Sequence, residues 1–253
     1  MEASFHKHDD AVAFGYNAAL ATTPTRIRAV VVPTGSTPDS AAPVALLAQQ
    51  QAAGLPLPPA LIMDQAGGWG KPRAQVATVS AGQTRMVARI PQAGGADRLR
   101  FTPADFQLSP DGAKCTWPQG VVSTQAYASG AGDGVHFRFT AKQCQSCPLW
   151  AQCRAPESKP TSQRSVYVSP YQAHLRAGAA FLMTVEGQVL LKLRWQVEPT
   201  IAWLTRYDGA RRARRVGQAA AQCQLYQACA LRNLLRYLGR LQRGAPRVLG
   251  AGA

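Results

Sequence analysis

The spacing of apolar and polar residues predicts alternating strands and helices over residues 1–90. Segments 11–23 and 26–34 are rich in apolar and β-branched residues and are predicted to be strands. A helix is predicted over 39–53, because Asp39 suits an N-terminal cap and Gly54 suits a C-terminal stop. The first third of the chain therefore mixes both kinds of element.

Two shorter apolar runs, 60–64 and 86–90, are also predicted to be strands, and the first ends on the carboxylate of Asp64. The segment between them contains a glycine-rich loop, which a short helix would follow. The order strand, strand, helix, strand is typical of a mixed α/β sheet.

The pattern changes after residue 90. Residues 91–165 are rich in Gly, Pro, Ser and Gln and show little periodicity, apart from a strand-like alternation at 137–140. From Ser169 onward the spacing is helical. We therefore predict an N-terminal core part over 1–90, an insertion over 91–165, and a helical part over 166–253.

The last predicted helix has two faces. Its apolar positions step by three and four, and so do its arginines on another side. The apolar positions are Leu225, Ala228, Leu231, Leu234, Leu235, Leu238 and Leu241, and the arginines are Arg232, Arg236, Arg240 and Arg243. We expect the apolar side to be buried in the core and the arginine side to be a cationic surface.

Charge is unbalanced along the chain. It has 28 Lys and Arg against 13 Asp and Glu, and twelve of these cations, with only two acids, lie in residues 189–253. A general codon bias would spread arginine more evenly, whereas a surface that binds phosphates would concentrate it. The charge distribution favours a polyanionic partner.

The N-terminal residues contain no apolar stretch typical of a signal peptide, and no run of 18 apolar residues occurs anywhere. We therefore expect a cytoplasmic protein without a membrane partner. In a reducing cytoplasm, clustered cysteines are more often metal ligands or core residues than disulfides.

Two carboxylates are candidates for metal chemistry. Asp64 follows a central strand, where α/β sheets present active groups, and carboxylate oxygen suits Mg²⁺. Glu198 lies in the basic helical region, four residues after Arg194. Taken alone, Asp64 is better explained as a helix cap or a turn residue, and Glu198 as half of an ordinary i,i+4 ion pair.

Four cysteines fall within the predicted insertion: Cys115, Cys144, Cys147 and Cys153. The Cys144-x-x-Cys147 spacing is that of a zinc knuckle, and four thiolates could hold Zn²⁺ tetrahedrally. The alternative is that all four are free thiols that help a loop to fold. Cys223 and Cys229, in the last helix, are predicted to be small core residues.

Six arginines are candidates for contact with a nucleic-acid backbone: Arg194, Arg206, Arg211, Arg212, Arg214 and Arg215. The last four form an arginine run that follows Glu198 and precedes the basic helix. Such a run usually forms a solvated surface, but its position between Glu198 and the basic helix favours phosphate binding.

Several segments occur in a characteristic order. They are 14–21 (FGYNAALA), 61–64 (LIMD), the stretch from 101–106 (FTPADF) through the four cysteines, and Arg194-x-x-x-Glu198-Pro199 followed by the arginine run and Ala230-x-x-Asn233-Leu234. This combination resembles the DDE-type DNA transposases of the IS4/IS5-like superfamily, and most of all the IS1182 family. The similarity extends over nearly the whole chain.

The resemblance implies an RNase H-like mixed sheet with flanking helices, into which the cysteine-containing segment is inserted. In such enzymes two Asp and one Glu hold two Mg²⁺ ions, which activate water or a DNA 3′-OH for attack on a phosphodiester. By this resemblance Asp64 is the second Asp, Glu198 is the Glu, and Arg194 helps to place a phosphate. The implied partner is transposon-end DNA, bound by a homodimer.

The chain departs from the family pattern at the first catalytic Asp, where Thr22 and Thr23 stand. A hydroxyl is a poor substitute for a carboxylate that bridges two Mg²⁺ ions. Asp39 is the best-placed substitute by sequence, with Asp9 and Asp10 also near.

Two further departures lie around the Glu motif, where Leu191 replaces an expected Tyr and Thr205 an expected Lys, although Arg206 is adjacent. We therefore expect a truncated catalytic core that has lost activity. The alternatives are a non-catalytic nucleic-acid-binding protein with a zinc-stabilised insert, and an interaction protein whose arginines reflect only genome composition.

Overall fold

A computed structural model describes residues 3–8, 11–91, 101–109, 111–130, 133–154, 157–159 and 161–244. These residues divide into two units. The first unit takes its residues from 3–68, 72–89 and 182–244, and the second from 69–71 and 90–181. The predicted insertion ended at residue 165, whereas the second unit continues to 181.

Strands of the first unit are hydrogen-bonded in pairs. β1 (Ser4–His8) pairs antiparallel with β2 (Ala11–Gly15), β3 (Ala19–Thr22) antiparallel with β4 (Ile27–Val31), and β5 (Ala60–Ile62) parallel with β6 (Arg85–Val87). The predicted strand segments are all occupied by strands, although 11–23 is divided between β2 and β3. The described residues thus form a mixed α/β structure.

The helices, in chain order, are α1 (Ala42–Ala52), α2 (Gly70–Val79), α3 (Ala141–Gln145), α4 (Trp150–Cys153), α5 (Gln172–Leu182), α6 (Val185–Lys192), α7 (Val197–Arg206) and α8 (Gln218–Gly244). Short 3₁₀ turns at Asp39–Ala41 and Gln65–Gly68 precede α1 and α2. The α1 helix ends near Gly54, whose φ of +66° a residue with a side chain would adopt only with strain.

The core of the first unit lies on both sides of β4. Ile27 and Val30 of β4, with Val32 just beyond it, pack against Leu204 of α7 and Leu225 of α8. A second cluster joins α1, α2 and the end of β6 through Leu47, Val76, Met86 and Ala88.

The β-structure around β4 is less continuous than predicted. Carboxamide side chains, and not another strand, satisfy the backbone groups of β4 that face away from β3. Gln49 bonds both the N–H and the C=O of Val30, and Asn233 does the same for Ile27. Among the described residues the sheets hold two or three strands each, so one mixed sheet of the predicted kind is not formed at this edge.

The prediction that α8 buries its whole apolar side is wrong for its C-terminal half. Leu225 and Ala228 are buried, as is Cys229 beside them. The leucines of the C-terminal half are all about half exposed: Leu231, Leu234, Leu235, Leu238 and Leu241. In this half of the helix, polar side chains bond to β4 and α7, Asn233 to Ile27 and Arg236 to Thr200. Cys223 is exposed, so its assignment to the core is also wrong.

Two antiparallel sheets build the second unit. One consists of β7 (Gln107–Leu108), β8 (Cys115–Thr116) and β9 (Val122–Ser123), and the other of β10 (Ala126–Ala128), β11 (Val135–Phe139) and β12 (Arg164–Val168). The predicted strand at 137–140 corresponds to β11, whereas β12 was not predicted. Buried aromatic residues join the two sheets in one core: Phe106, Trp117, Phe137 and Phe139.

Candidate functional site

Asp64 lies just beyond the carboxyl end of β5, in the first unit. The strand ladder continues for one residue past β5, because the Met63 N–H donates to the Val87 carbonyl at 2.9 Å. Asp64 is exposed, and its Oδ1 accepts the Ala66 N–H at 3.0 Å, which begins the turn Gln65–Gly68. This carboxylate therefore starts a turn and also faces solvent, so both sequence interpretations of Asp64 remain compatible with the structure.

Asp39 lies in a segment that packs beside the turn following Asp64. The 3₁₀ turns Asp39–Ala41 and Gln65–Gly68 are neighbours in space, although 26 residues separate their first positions. Asp39 is exposed, and its Oδ1 accepts a hydrogen bond of 2.7 Å from Asn17 Nδ2. The fold thus brings together the segments of two of the three carboxylates singled out from the sequence.

Glu198 begins α7 and is exposed. Its Oε1 lies 3.4 Å from Arg194 Nη2, and both side chains are largely in solvent, at 62% and 48% exposure. The predicted i,i+4 ion pair is thus formed. A solvated pair of this kind contributes about 0–1 kcal/mol to stability, so it leaves Glu198 free to take part in other interactions.

The two threonines at the position of the first catalytic Asp close the turn between β3 and β4. The Thr22 and Thr23 hydroxyls both donate to the Arg26 carbonyl, at 3.1 and 3.2 Å. Their oxygens are thus engaged in local structure. Asp9 and Asp10, the other carboxylates near this position, lie outside the described residues.

The arginine run forms an exposed loop between α7 and α8. Gln224 of α8 holds this loop, because its Nε2 donates to the carbonyls of Gly209 and Arg212 at 2.7 Å and its Oε1 accepts the Arg214 N–H at 2.8 Å. The cations are therefore fixed through their backbone while their side chains project into solvent. The exposed set is Arg206, Arg211, Arg212, Arg214 and Arg215.

The predicted cationic face of α8 is corrected at two positions. Arg232 donates to both carboxylate oxygens of Asp208 at 2.7 Å, and Arg236 donates to the Thr200 hydroxyl. Burial and the neighbouring arginines lower the pKa of Arg236. These two guanidinium groups join α7 to α8, so neither is available to a phosphate. Arg240 is exposed and could bind one.

Arg73 was not identified from the sequence, yet it supports the turn that follows Asp64. Its guanidinium is buried and donates to three carbonyl oxygens, those of Gly68, Met86 and Ala88, at 2.6–3.0 Å. Burial lowers the pKa of Arg73 below its ordinary value. The sequence pattern did not single out Arg73, because α2 also carries Lys71 and neither cation belongs to a periodic run.

The four cysteines of the second unit lie in its apolar core. Cys115, Cys144 and Cys153 are buried, Cys147 packs against them, and all are free thiols. Burial raises the pKa of Cys115, Cys144 and Cys153, which favours the neutral thiol over the thiolate that binds a metal. This environment agrees with the alternative that the four cysteines are free thiols, and it gives no support to a zinc site.

The implied magnesium ions do not fit the described residues. Carboxylate oxygen is the right donor for Mg²⁺, and Asp64, Glu198 and Asp39 all face solvent. Within the part of the chain that the structure describes, however, no group of three or more His, Cys, Asp or Glu is arranged to hold a metal ion.

A family model described as "Transposase DDE domain" matches residues 116–238, which include Arg194 and Glu198 but not Asp64. No curated protein matches the chain. No solved structure matches it either. Among the described helices, none combines the length and apolar character needed to cross a bilayer.

Proposed function

We propose that this chain is a catalytic-core segment of a DDE-type transposase of the IS4/IS5-like superfamily, similar to the IS1182 family, and that its partner is DNA. The observation that carries the proposal is the match to the transposase DDE domain over 116–238. That match covers the Glu motif, in which Arg194 and Glu198 lie on adjacent turns of helix.

Exposed arginines support DNA as the partner. Arg206 and the arginine run extend into solvent beside one another in the chain, and the hydrogen bonds of Gln224 fix the loop that presents them. Because the cationic loop is already ordered, its binding to a phosphate backbone does not include the entropic cost of ordering the loop.

We further propose that the chain binds DNA without cutting it. Asp64 and Glu198 would be the two carboxylates retained from an RNase H-like active site. Thr22 and Thr23 stand at the position of the first catalytic Asp, and their hydroxyls close a turn. Asp39 is the nearest replacement, but Asn17 already binds it.

DNA binding is tested by its dependence on salt. Affinity for duplex DNA is expected to fall linearly on logarithmic axes, with a slope of about −0.9 for each phosphate contacted. The double variant Arg211→Gln/Arg212→Gln should lower that slope by about two, whereas Arg26→Gln/Lys114→Gln, which removes two exposed cations elsewhere, should leave it unchanged. Equal effects of the two double variants would mean that net charge, and not this loop, determines binding.

Cleavage is tested with supercoiled DNA in the presence of Mg²⁺ or Mn²⁺. We expect the wild-type chain to nick DNA no more than the Asp64→Asn and Glu198→Gln variants do. Metal-dependent nicking that both substitutions abolish would show an active enzyme and refute the non-catalytic part of the proposal. The homodimer and the cytoplasmic location stay predictions. Sedimentation velocity at several protein concentrations would measure the oligomeric state.

A further inference from the structure

The sheet of β10, β11 and β12 has one buried and one exposed face. Phe137 and Phe139 of β11 and Val166 of β12 point into the core of the second unit, with exposures of 2% or less. Side chains alternate along a strand, so His136, Arg138 and Tyr167 project from the opposite face. The exposed face is therefore built from aromatic and basic residues, whereas a solvated sheet face usually carries Thr, Lys and Glu.

Three rings form a row across this face, one from each strand. Tyr127 lies opposite His136, and His136 lies opposite Tyr167. Adjacent ring centroids are 5.2 Å apart in both pairs, and the Tyr127 and His136 rings are nearly parallel, at 12°. The Ser165 hydroxyl is within hydrogen-bond distance of both Tyr127 Oη and His136 Nδ1, at 3.0 and 3.1 Å. These bonds fix the ring positions before any ligand arrives.

The tyrosines remain accessible although they are well ordered by contacts. Tyr127 is 42% exposed and Tyr167 is 38% exposed. Cross-strand aromatic pairs also stabilise small sheets, by roughly 0.2–1 kcal/mol each. This stabilisation accounts for the adjacent rings, but it does not account for the cations Arg138 and Lys142 beside them.

A cationic groove borders the row. Arg138 lies 5.0 Å from the centroid of the Tyr127 ring, and the same residue lines a groove of about 560 Å³. Lys142 is the other cation in the groove, whose walls carry no carboxylate. Hydroxyl and amide groups of Ser123, Thr124, Thr140 and Gln143 also line the groove, together with Val121 and Val122.

We propose that the aromatic row of Tyr127, His136 and Tyr167, together with the groove of Arg138 and Lys142, binds unpaired single-stranded DNA. Bases would stack on the exposed rings, and the two cations would bind the phosphates that link them. The charge of the groove is complementary to a polyanion, and the two tyrosine rings are partly exposed to a ligand. The inference extends the proposed function, on which it rests for the choice of DNA, by assigning unpaired strands to the second unit.

The test compares single-stranded and duplex DNA by fluorescence anisotropy, using (dT)₁₂ and a 12-base-pair duplex. Tyr127→Leu and Tyr167→Leu should each weaken (dT)₁₂ binding by about tenfold or more. Tyr127→Phe and Tyr167→Phe, which keep the rings, should retain affinity within about twofold. Duplex affinity should not change in any of the four variants, because their substitutions lie outside the arginine run.

A second readout reports stacking directly. An oligonucleotide containing 2-aminopurine should lose fluorescence on binding to the wild type and to the Phe variants, but not to the Leu variants. Arg138→Gln and Lys142→Gln should each reduce the salt slope for (dT)₁₂ by about 0.7, and Lys114→Gln, an exposed lysine on the other sheet, should not. Circular dichroism and thermal melting confirm that each variant is folded.

Gly134 offers a variant that moves a ring without removing it. A Cβ at this position would lie 2.6 Å from the Tyr167 hydroxyl oxygen and would also meet the ring carbons. Gly134→Ala should therefore displace Tyr167 and weaken (dT)₁₂ binding. Gly130→Ala, on the same hairpin but with open space at the added atom, is the matched control.

Several outcomes would overturn the inference. They are wild-type (dT)₁₂ affinity in the Leu variants, an equal loss in the Phe and Leu variants, and tighter binding of the matched oligoribonucleotide. Failure of the proposed function gives a different pattern, in which duplex DNA is not bound or does not depend on the arginine run. A protein that binds (dT)₁₂ through its tyrosines but ignores duplex DNA would retain this inference alone.

Discussion

Arg232 donates two hydrogen bonds of 2.7 Å to the two carboxylate oxygens of Asp208, and the pair is almost entirely buried, with 12% and 4% of the side chains exposed. The Arg232 guanidinium also lies 4.6 Å from the centroid of the Trp203 ring. This contact fixes the end of α7 to the middle of α8. The arginine run begins three residues after Asp208.

Substitution of Asp208 by Ala should lower the free energy of unfolding by about 3–5 kcal/mol, because it leaves the Arg232 charge buried without a partner. Urea denaturation at pH 7 measures this change. Glu198→Ala is the matched control, since it breaks the exposed pair with Arg194 and should cost less than about 1 kcal/mol. Similar losses in the two variants would contradict the distinction between buried and exposed pairs.

Substitution of Arg73 by Met should destabilise the first unit by about 3 kcal/mol, because the carbonyls of Gly68, Met86 and Ala88 lose their donors. The turn after Asp64 should also loosen, so chymotrypsin should cut faster after Trp69, which is 58% exposed. Lys71→Met, at an exposed position in the same helix, should change neither quantity. An unchanged cleavage rate in Arg73→Met would show that the turn does not depend on this guanidinium.

Cys229 makes stability depend on alkaline pH. Burial, with a smaller contribution from the Asp208 charge, raises the pKa of its thiol from 9.0 to about 11. Between these values the unfolded chain releases a proton that the folded chain keeps, so the free energy of unfolding falls as pH rises. The contribution is intact below pH 9 and is lost as pH rises through the folded-state value.

The measurement compares urea denaturation at pH 8 and at pH 10.5. The wild type should lose about 2 kcal/mol more between these conditions than Cys229→Ala does, since each unit of pKa shift is worth about 1.4 kcal/mol. Cys223→Ala, which removes an exposed thiol from the same helix, should retain the wild-type dependence. Identical pH profiles for the wild type and Cys229→Ala would refute the prediction.

Local patterns predicted many of the elements. The stop at Gly54 defined the end of the α1 region, and the apolar run ending at Asp64 gave β5, because these signals act over a few residues. The predicted cap at Asp39 is wrong, because Asp39 lies in the 3₁₀ turn before α1 and its carboxylate accepts a hydrogen bond from Asn17. The strand β12 was missed although Arg164–Val168 alternates clearly. It directly precedes the helical pattern, which was taken to begin at the next residue, Ser169.

The candidate site was predicted less completely. The sequence identified Asp64, Glu198 and Arg194, and the ion pair between the last two is formed because it depends only on helical spacing. It did not identify Arg73 or the pairing of Asp208 with Arg232. Those contacts join residues from separate segments, and no periodicity along the chain records them.

By itself the sequence determined many of the strands and helices, the segment in which positive charge accumulates, and the resemblance to DDE transposases. Only the tertiary structure decided which half of α8 is covered, which arginines remain available to a phosphate, and that carboxamides border β4. The physical reason is that burial and hydrogen-bond partners depend on segments as distant as Ile27 and Asn233, which are 206 positions apart. Propensity and periodicity extend over only a few turns, so they cannot specify such contacts.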